Sequence, residues 1–213
     1  MNVPPNFAYY LSMHEKCSEQ LLCMANRLSA EDVELCTNLQ ALQIRRMVNS
    51  VRMEIYRMQG FVRLKPLGPW ILYGYLRPRH NTGSHICRHF SQRSPSNVIV
   101  LGNALESWVS LCIGKHIFQS EGRGLNQSLQ ELKDLVEITS DDNYIEEAWK
   151  VYYSSQYCSE RRNNQHFNRR MPRRSLDSAD LKLEKNKNGL TLGDFFERQL
   201  EHPSKSNNHP QCS

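Results

Sequence analysis

No stretch of the sequence approaches the roughly 18 consecutive apolar residues of a membrane-spanning helix, so no such helix is expected. The opening MNVPPNFAYYL has neither a basic start nor a long apolar run, which argues against a signal peptide. No CxxC pair or iron–sulfur spacing occurs among the seven cysteines at 17, 23, 36, 87, 112, 158 and 212. Several of them fall at apolar helical positions, where a free thiol behaves as a small hydrophobe, so a reduced, cytoplasmic protein is expected. The glycines of 121–124 (EGRG) lack the GxxxxGK[ST] pattern of a phosphate loop.

Acid is almost missing from one long stretch. Residues 43–96 hold ten Lys/Arg and one carboxylate, Glu54, for a formal +9; residues 1–42 sum to −3 and 97–160 to −6. Residues 161–213 return to +5, which is also the net charge of the whole chain. Two basic blocks brought together by the fold would make one positive face. The denser part of the second block closes a Trp/Tyr-bearing helix, EEAWKVYYSSQYCSERRNNQHFNRRMPRR over 146–174. Its last fourteen residues hold six arginines, Arg161, Arg162, Arg169, Arg170, Arg173 and Arg174. The planar five-donor fork of arginine matches phosphate. Like charges this close repel unless an anion faces them, so the cluster points to a polyanionic partner, though not to a reaction.

With 213 residues, 39% of them hydrophobic, the chain can bury a core. Phe7, Tyr10, Leu11, His14, Leu21, Leu22, Ala25 and Leu28 recur at helical spacing and predict a helix. Ser29 with Asp32 three residues on is a capping-box-like start, and Val33, Cys36, Leu39 and Leu42 fit a short second helix. Ile44, Met47, Val48, Val51, Ile55 and Met58 form the apolar face of a third. Arg45, Asn49, Arg52, Tyr56 and Gln59 form another face, and Gly60 stops the helix. The period then changes. Residues 61–65 alternate, 67–69 turn, and 70–76 (WILYGYL) are strand-prone, which predicts a β-hairpin. A short helix over 84–92, a strand pair at 98–101 and 108–113, a Gly-rich loop at 119–124, and helices from 125 and over 144–163 follow. The expected fold is α+β, with a small antiparallel or mixed sheet (a ββαββ core) covered by flanking helices. Residues 1–174 then form one domain, and 175–213 a partly disordered tail with one short helix over 189–200.

Three sets of residues are candidates for chemistry. A phosphate-binding surface would use Arg45, Arg52, Arg57 and Arg63 from the first block and the six arginines of 161–174 from the second. Tyr157 and Phe167 are available to stack on exposed bases. A solvated surface, or arginines paired with Asp141, Asp142, Glu146 and Glu147, accounts for the same charge. An enzymatic set would use His80, Asn81 and Glu54, although Glu54 could instead pair with Arg52 or Arg57. A metal site would start from His85 and His89, four apart on one helical face. No HExxH glutamate and no defined third ligand accompanies them, so no metal and no cofactor is expected.

Several blocks in order also carry a resemblance. They are 54–63 (EIYRMQGFVR), Tyr73 with 78–81 (PRHN), His89 and Phe90 followed by Arg93 and Pro95, and Trp149 with 160–163 (ERRN), Gln165, Met171 and Pro172. Over residues 40–174 the chain resembles the DUF4130 family, which is linked with DNA metabolism. It departs from the family pattern at Asn164, where proline is usual, and at Arg173, Arg174 and Ser175, where an aromatic pair is usual. In bacteria the family is found beside, or fused to, uracil-DNA-glycosylase-like proteins, and beside a radical SAM protein. This chain lacks the closely spaced Cys triad of a radical SAM cluster, so a partner would supply such chemistry. The expected function is an accessory nucleic-acid-binding protein of DNA repair or DNA metabolism, gripping the phosphate backbone between its two basic blocks. The alternatives are an enzyme acting on a nucleotide or damaged base, and a protein-interaction subunit of a radical SAM or glycosylase-like partner. No membrane partner is expected.

Overall fold

The computed structural model describes residues 2–133, 151–152 and 165. In chain order the elements are α1 (Phe7–Ser12), α2 (Glu19–Ala25), α3 (Ala30–Leu35), α4 (Leu39–Phe61), β1 (Lys65–Pro66), β2 (Ile71–Tyr75), α5 (Gly83–Arg93), β3 (Val98–Gly102), β4 (Ser107–Ile113), β5 (His116–Gly122) and α6 (Leu125–Lys133). All of them lie in one of the two units into which the chain divides. The fold is α+β, a mixed five-stranded sheet in the order β1-β2-β3-β4-β5 flanked by helices. Strands β2 and β3 run parallel, with Ile71 opposite Val98 and Tyr75 opposite Gly102; the other neighbours run antiparallel. A parallel pair cannot be closed by a tight turn, and α5 is the crossover that joins it.

Helix α4 organises the interior. The side chain of Asn38 caps it by accepting from the backbone N–H of Ala41 at 2.7 Å. Ala41, Ile44, Met47, Val48, Val51, Ile55 and Met58 recur at three- and four-residue spacing and are all buried. The first half of this stripe, Ile44, Met47 and Val48, packs with Val3, Phe7, Leu11 and Val33 beneath α1–α3. The second half, Val51, Ile55 and Met58, packs with Ile86, Phe90, Ile99, Leu101 and Trp108 between α5 and the sheet. Successive strand residues point to opposite faces, so Val100 leaves that cluster and joins Ile71 and Leu125 in a third. Because β3 is covered on both faces it reads as an apolar run, VIVLG, and not as an alternation. Gly83 opens α5 because a Cβ there would run into the Trp108 indole.

The helix expected across 7–28 is two helices. A turn intervenes, and α2 restarts at Ser18, whose Oγ accepts from the N–H of Leu21 at 3.3 Å. The capping box of Ser29 and Asp32 is present at the start of α3. Cys36 then adopts a left-handed φ of 53° and ends that helix, so Leu39 and Leu42 belong to α4. Gly60 lies inside α4, which runs on to Phe61, and the first hairpin arm shrinks to Lys65–Pro66. The expected loop over 119–124 is largely β5. Its pairing with β4 from Ser107↔Gly122 to Ile113↔His116 outweighs the local turn signal. Among the described residues no helix is long and apolar enough to cross a membrane. Residues 151, 152 and 165 are helical; the rest of the helix expected over 144–163, the tail and its helix over 189–200 lie outside the described residues.

Candidate functional site

Two local arrangements on α4 bear on function. The first gathers Glu54, His80 and the loop that follows β2. Glu54 projects from α4 and its carboxylate holds that loop. Oε2 accepts the N–H of Arg79 at 2.9 Å, and Oε1 accepts the N–H of His80 at 3.0 Å and the Thr82 hydroxyl at 2.9 Å. The Asn81 N–H donates to the Met13 carbonyl at 2.8 Å, which ties the same loop to the end of α1. The Arg79 side chain turns to Glu15, with nitrogen–oxygen distances of 2.8 and 2.6 Å. That hydrogen bond holds the Glu15 carboxyl below its ordinary range.

His80 is 3% exposed. Its Nε2 lies 2.9 Å from Ser50 Oγ, its Nδ1 accepts the Glu15 N–H at 3.4 Å, and its ring lies 4.4 Å from that of His14. A backbone N–H can only donate, so Nδ1 is the acceptor in the contact with Glu15. The structure brings His80 and Glu54 together, with Asn81 exposed beside them. Both oxygens of Glu54 are occupied by the loop, so it acts as a staple and does not pair with Arg52 or Arg57 among the described residues.

The basic block divides by partner. Arg45 pairs with Glu34 at 2.9 Å and also donates to Cys36 Sγ, and Arg52 donates to the Asn2 carbonyl at 2.6 Å. Arg46, Arg57, Arg77, Arg88 and Arg93 are exposed, and no ion pair involves them among the described residues. Arg63 is exposed at the end of α4. Arg161, Arg162, Arg169, Arg170, Arg173 and Arg174 lie outside the described residues, as do Tyr157 and Phe167.

His85 and His89 sit one turn apart on α5. The Tyr9 hydroxyl is 3.2 Å from His85 Nδ1, and His89 meets the Phe90 ring edge-on. Burial lowers both imidazoles below their ordinary value, and the neighbouring cations Arg88 and Arg93 add to it. Among the described residues no cluster of three His, Cys, Asp or Glu side chains could hold a metal ion. Cys17, Cys23, Cys36, Cys87 and Cys112 are free thiols. Burial pushes the Cys87 thiol up to about 12, and its Sγ donates to the carbonyls of Ile99 and Trp108.

The second arrangement is an open groove of about 420 Å³ over the first turns of α4. Leu39, Leu42, Gln43 and Arg46 line it with His14 and Lys16 from the α1–α2 turn, and Met47 is at its floor. Sequence reasoning missed it. Arg46 reads as one member of a basic block, and His14 as one more residue of an apolar helical stripe. The available signal was 14–16 (HEK), three polar residues in a row that cannot continue a buried stripe.

The chain matches the family described as a domain of unknown function, DUF4130, over residues 15–177. No curated protein and no solved structure matches it. The matched span covers most of the 213 residues, including Glu54, the 78–82 loop and the first basic block, and the chain belongs to this family.

Proposed function

We propose that this DUF4130 member is an accessory nucleic-acid-binding protein of DNA repair or DNA metabolism that contacts the phosphate backbone through its arginines. One observation carries the reading. The sole acid within residues 43–96, Glu54, holds the 79–82 loop, and among the described residues no ion pair involves Arg46, Arg57, Arg77, Arg88 or Arg93. Exposed Arg57, Arg77, Arg88 and Arg93 then present fork donors to solvent. Such a surface grips phosphate and carries no base information. Because Glu54 and His80 serve the loop, the reading gives the chemistry to a partner enzyme of the glycosylase-like or radical SAM kind. The arginines of 161–174 add a second basic segment to the same role.

The test is a salt titration. Affinity for a single- or double-stranded oligonucleotide should fall steeply with salt, with a log–log slope of about −0.9 per phosphate contacted on duplex DNA. The double substitution Arg57→Ala with Arg77→Ala should weaken all sequences alike and make that slope shallower by about two contacts. Affinity that ignores salt would remove the proposal.

A further inference from the structure

The groove over the start of α4 joins exposed polar and apolar side chains above buried Met47. Leu39, Leu42 or Gln43, and Arg46 or Met47 are spaced three and four apart, so the helix lays them in one stripe along its length. The lining is polar at one set of residues, His14, Lys16, Gln43 and Arg46, and apolar at the other, Leu39, Leu42 and Met47. Leu39 is 84% exposed, a large apolar side chain standing in water beside two cations. No carboxylate lines the groove. The nearest acid in sequence, Glu15, lies between the two lining residues His14 and Lys16, and Arg79 draws its carboxylate away. The volume is within the roughly 300–1,000 Å³ of small-molecule sites, which join an apolar lining to a few placed polar groups.

An anion with a flat apolar body satisfies both parts. We propose that the groove takes one unstacked nucleotide of a single strand. Its phosphate lies between Arg46 and Lys16, and its base rests on Leu39, Leu42 and Met47. The Gln43 amide, which both donates and accepts, meets an edge of the base. Arg46 belongs to the basic block, so a strand held by the exposed arginines has a cation leading into the groove. The inference rests on the nucleic-acid reading and deepens it. The arginines supply grip, and the groove supplies a preference for an unpaired nucleotide over duplex.

The experiment is calorimetric titration of the full chain with a short single-stranded oligonucleotide, its duplex form, deoxythymidine 5′-monophosphate, deoxythymidine and inorganic phosphate. The single strand should bind more tightly than duplex, and the mononucleotide should compete with it. The nucleoside and phosphate alone should each bind on the order of tenfold more weakly than the mononucleotide. Arg46→Ala and Leu39→Ser, both at exposed positions, should each weaken mononucleotide and single-strand binding by about tenfold. Three results would overturn the groove assignment: a mononucleotide that does not compete, phosphate that binds as well as the nucleotide, or Arg46-dependent capture of anionic vesicles in place of oligonucleotide. Strand binding that responds to Arg57 and Arg77 but not to Arg46 or Leu39 would overturn it while leaving the backbone-contact function standing. Loss of all salt-sensitive strand binding in the unmodified chain would overturn both.

Discussion

The two halves of α4 use their polar residues in opposite ways. In the second half Glu54 is committed to structure: two backbone N–H groups and one hydroxyl donate to its oxygens. In the first half Gln43 and Arg46 are exposed and line a groove, and among the described residues no ion pair involves Arg46. Ser50, bonded to buried His80, marks the boundary between them. Proximity of an acid, a histidine and an amide is therefore a poor guide to chemistry in this chain. The discriminating property is whether a polar atom still has bonding capacity facing solvent. By that measure the Glu54–His80 cluster is architecture, and the groove with the exposed arginines is surface available to a partner.

The largest test of this contrast is Glu54→Ala. Bonds to a charged acceptor are worth about 1.5–3 kcal/mol each, and some of the donors released here would regain water. A loss of about 3 kcal/mol, or roughly 6–12 °C in Tm, is expected. Glu54→Gln keeps one carbonyl acceptor and should lose less. Equal stability of Glu54→Ala and the parent in a denaturant titration would mean that the loop does not depend on the carboxylate, and the contrast would collapse.

A second test stays with the core under the second half. In Gly83→Ala the new methyl runs into the Trp108 indole, which is 8% exposed and has little room to retreat. Overpacking of this kind costs about 1–3 kcal/mol, more than the gain of at most about 1 kcal/mol from replacing a helical glycine. Net destabilisation is expected, with altered tryptophan fluorescence as its local signature. The first half has its own structural dependence on α3. Ser29→Ala removes the capping box that starts the helix carrying Glu34, which in turn accepts from the Val3 N–H at 2.6 Å and pairs with Arg45. About 1 kcal/mol is the expected loss in chemical denaturation.

Acid should produce a broader and milder effect. His14, His85 and His89 are all lowered from 6.5, each chiefly by burial, with His80 the next cause for His14. The unfolded chain then binds protons that the folded chain refuses. Stability is complete above about pH 6.5 and declines as the pH falls below it, before most carboxylates titrate. Tm measured from pH 7.5 to 5.5 should fall in that window. Replacing His14 by glutamine should flatten part of the decline, and a flat profile in the parent would show that these rings titrate alike folded and unfolded.

Much of the fold was legible because it is written in periodicity. Ile44 to Met58 gave α4, and the Val98–Leu101 run and the 108–113 stretch gave β3 and β4. The errors share a cause. Cys36 in a left-handed conformation, the break at 13–18 and the pairing that makes β5 are settled by tertiary contacts that no local pattern carries. For the candidate site, the residue types at 54 and 80 stood out, yet the commitment of Glu54 to a loop depends on donors supplied 25 to 28 residues away. The groove was invisible for the complementary reason. His14 and Lys16 approach Arg46 only because α1 and α2 fold back across α4.

The smallest stability effect is the most informative of all. Arg46→Ala removes an exposed side chain with no ion pair among the described residues, so its stability should stay within about 0.5 kcal/mol of the parent. Combined with Glu54→Ala, the two changes should add, because one acts on the groove and the other on the loop. Nucleotide affinity should separate them in the opposite order, with Arg46→Ala lowering it and Glu54→Ala leaving it alone at temperatures where the protein is folded. If Arg46→Ala destabilised the chain as much as Glu54→Ala, Arg46 would be part of the architecture too. The first half of α4 would then hold no side chain in reserve for a ligand.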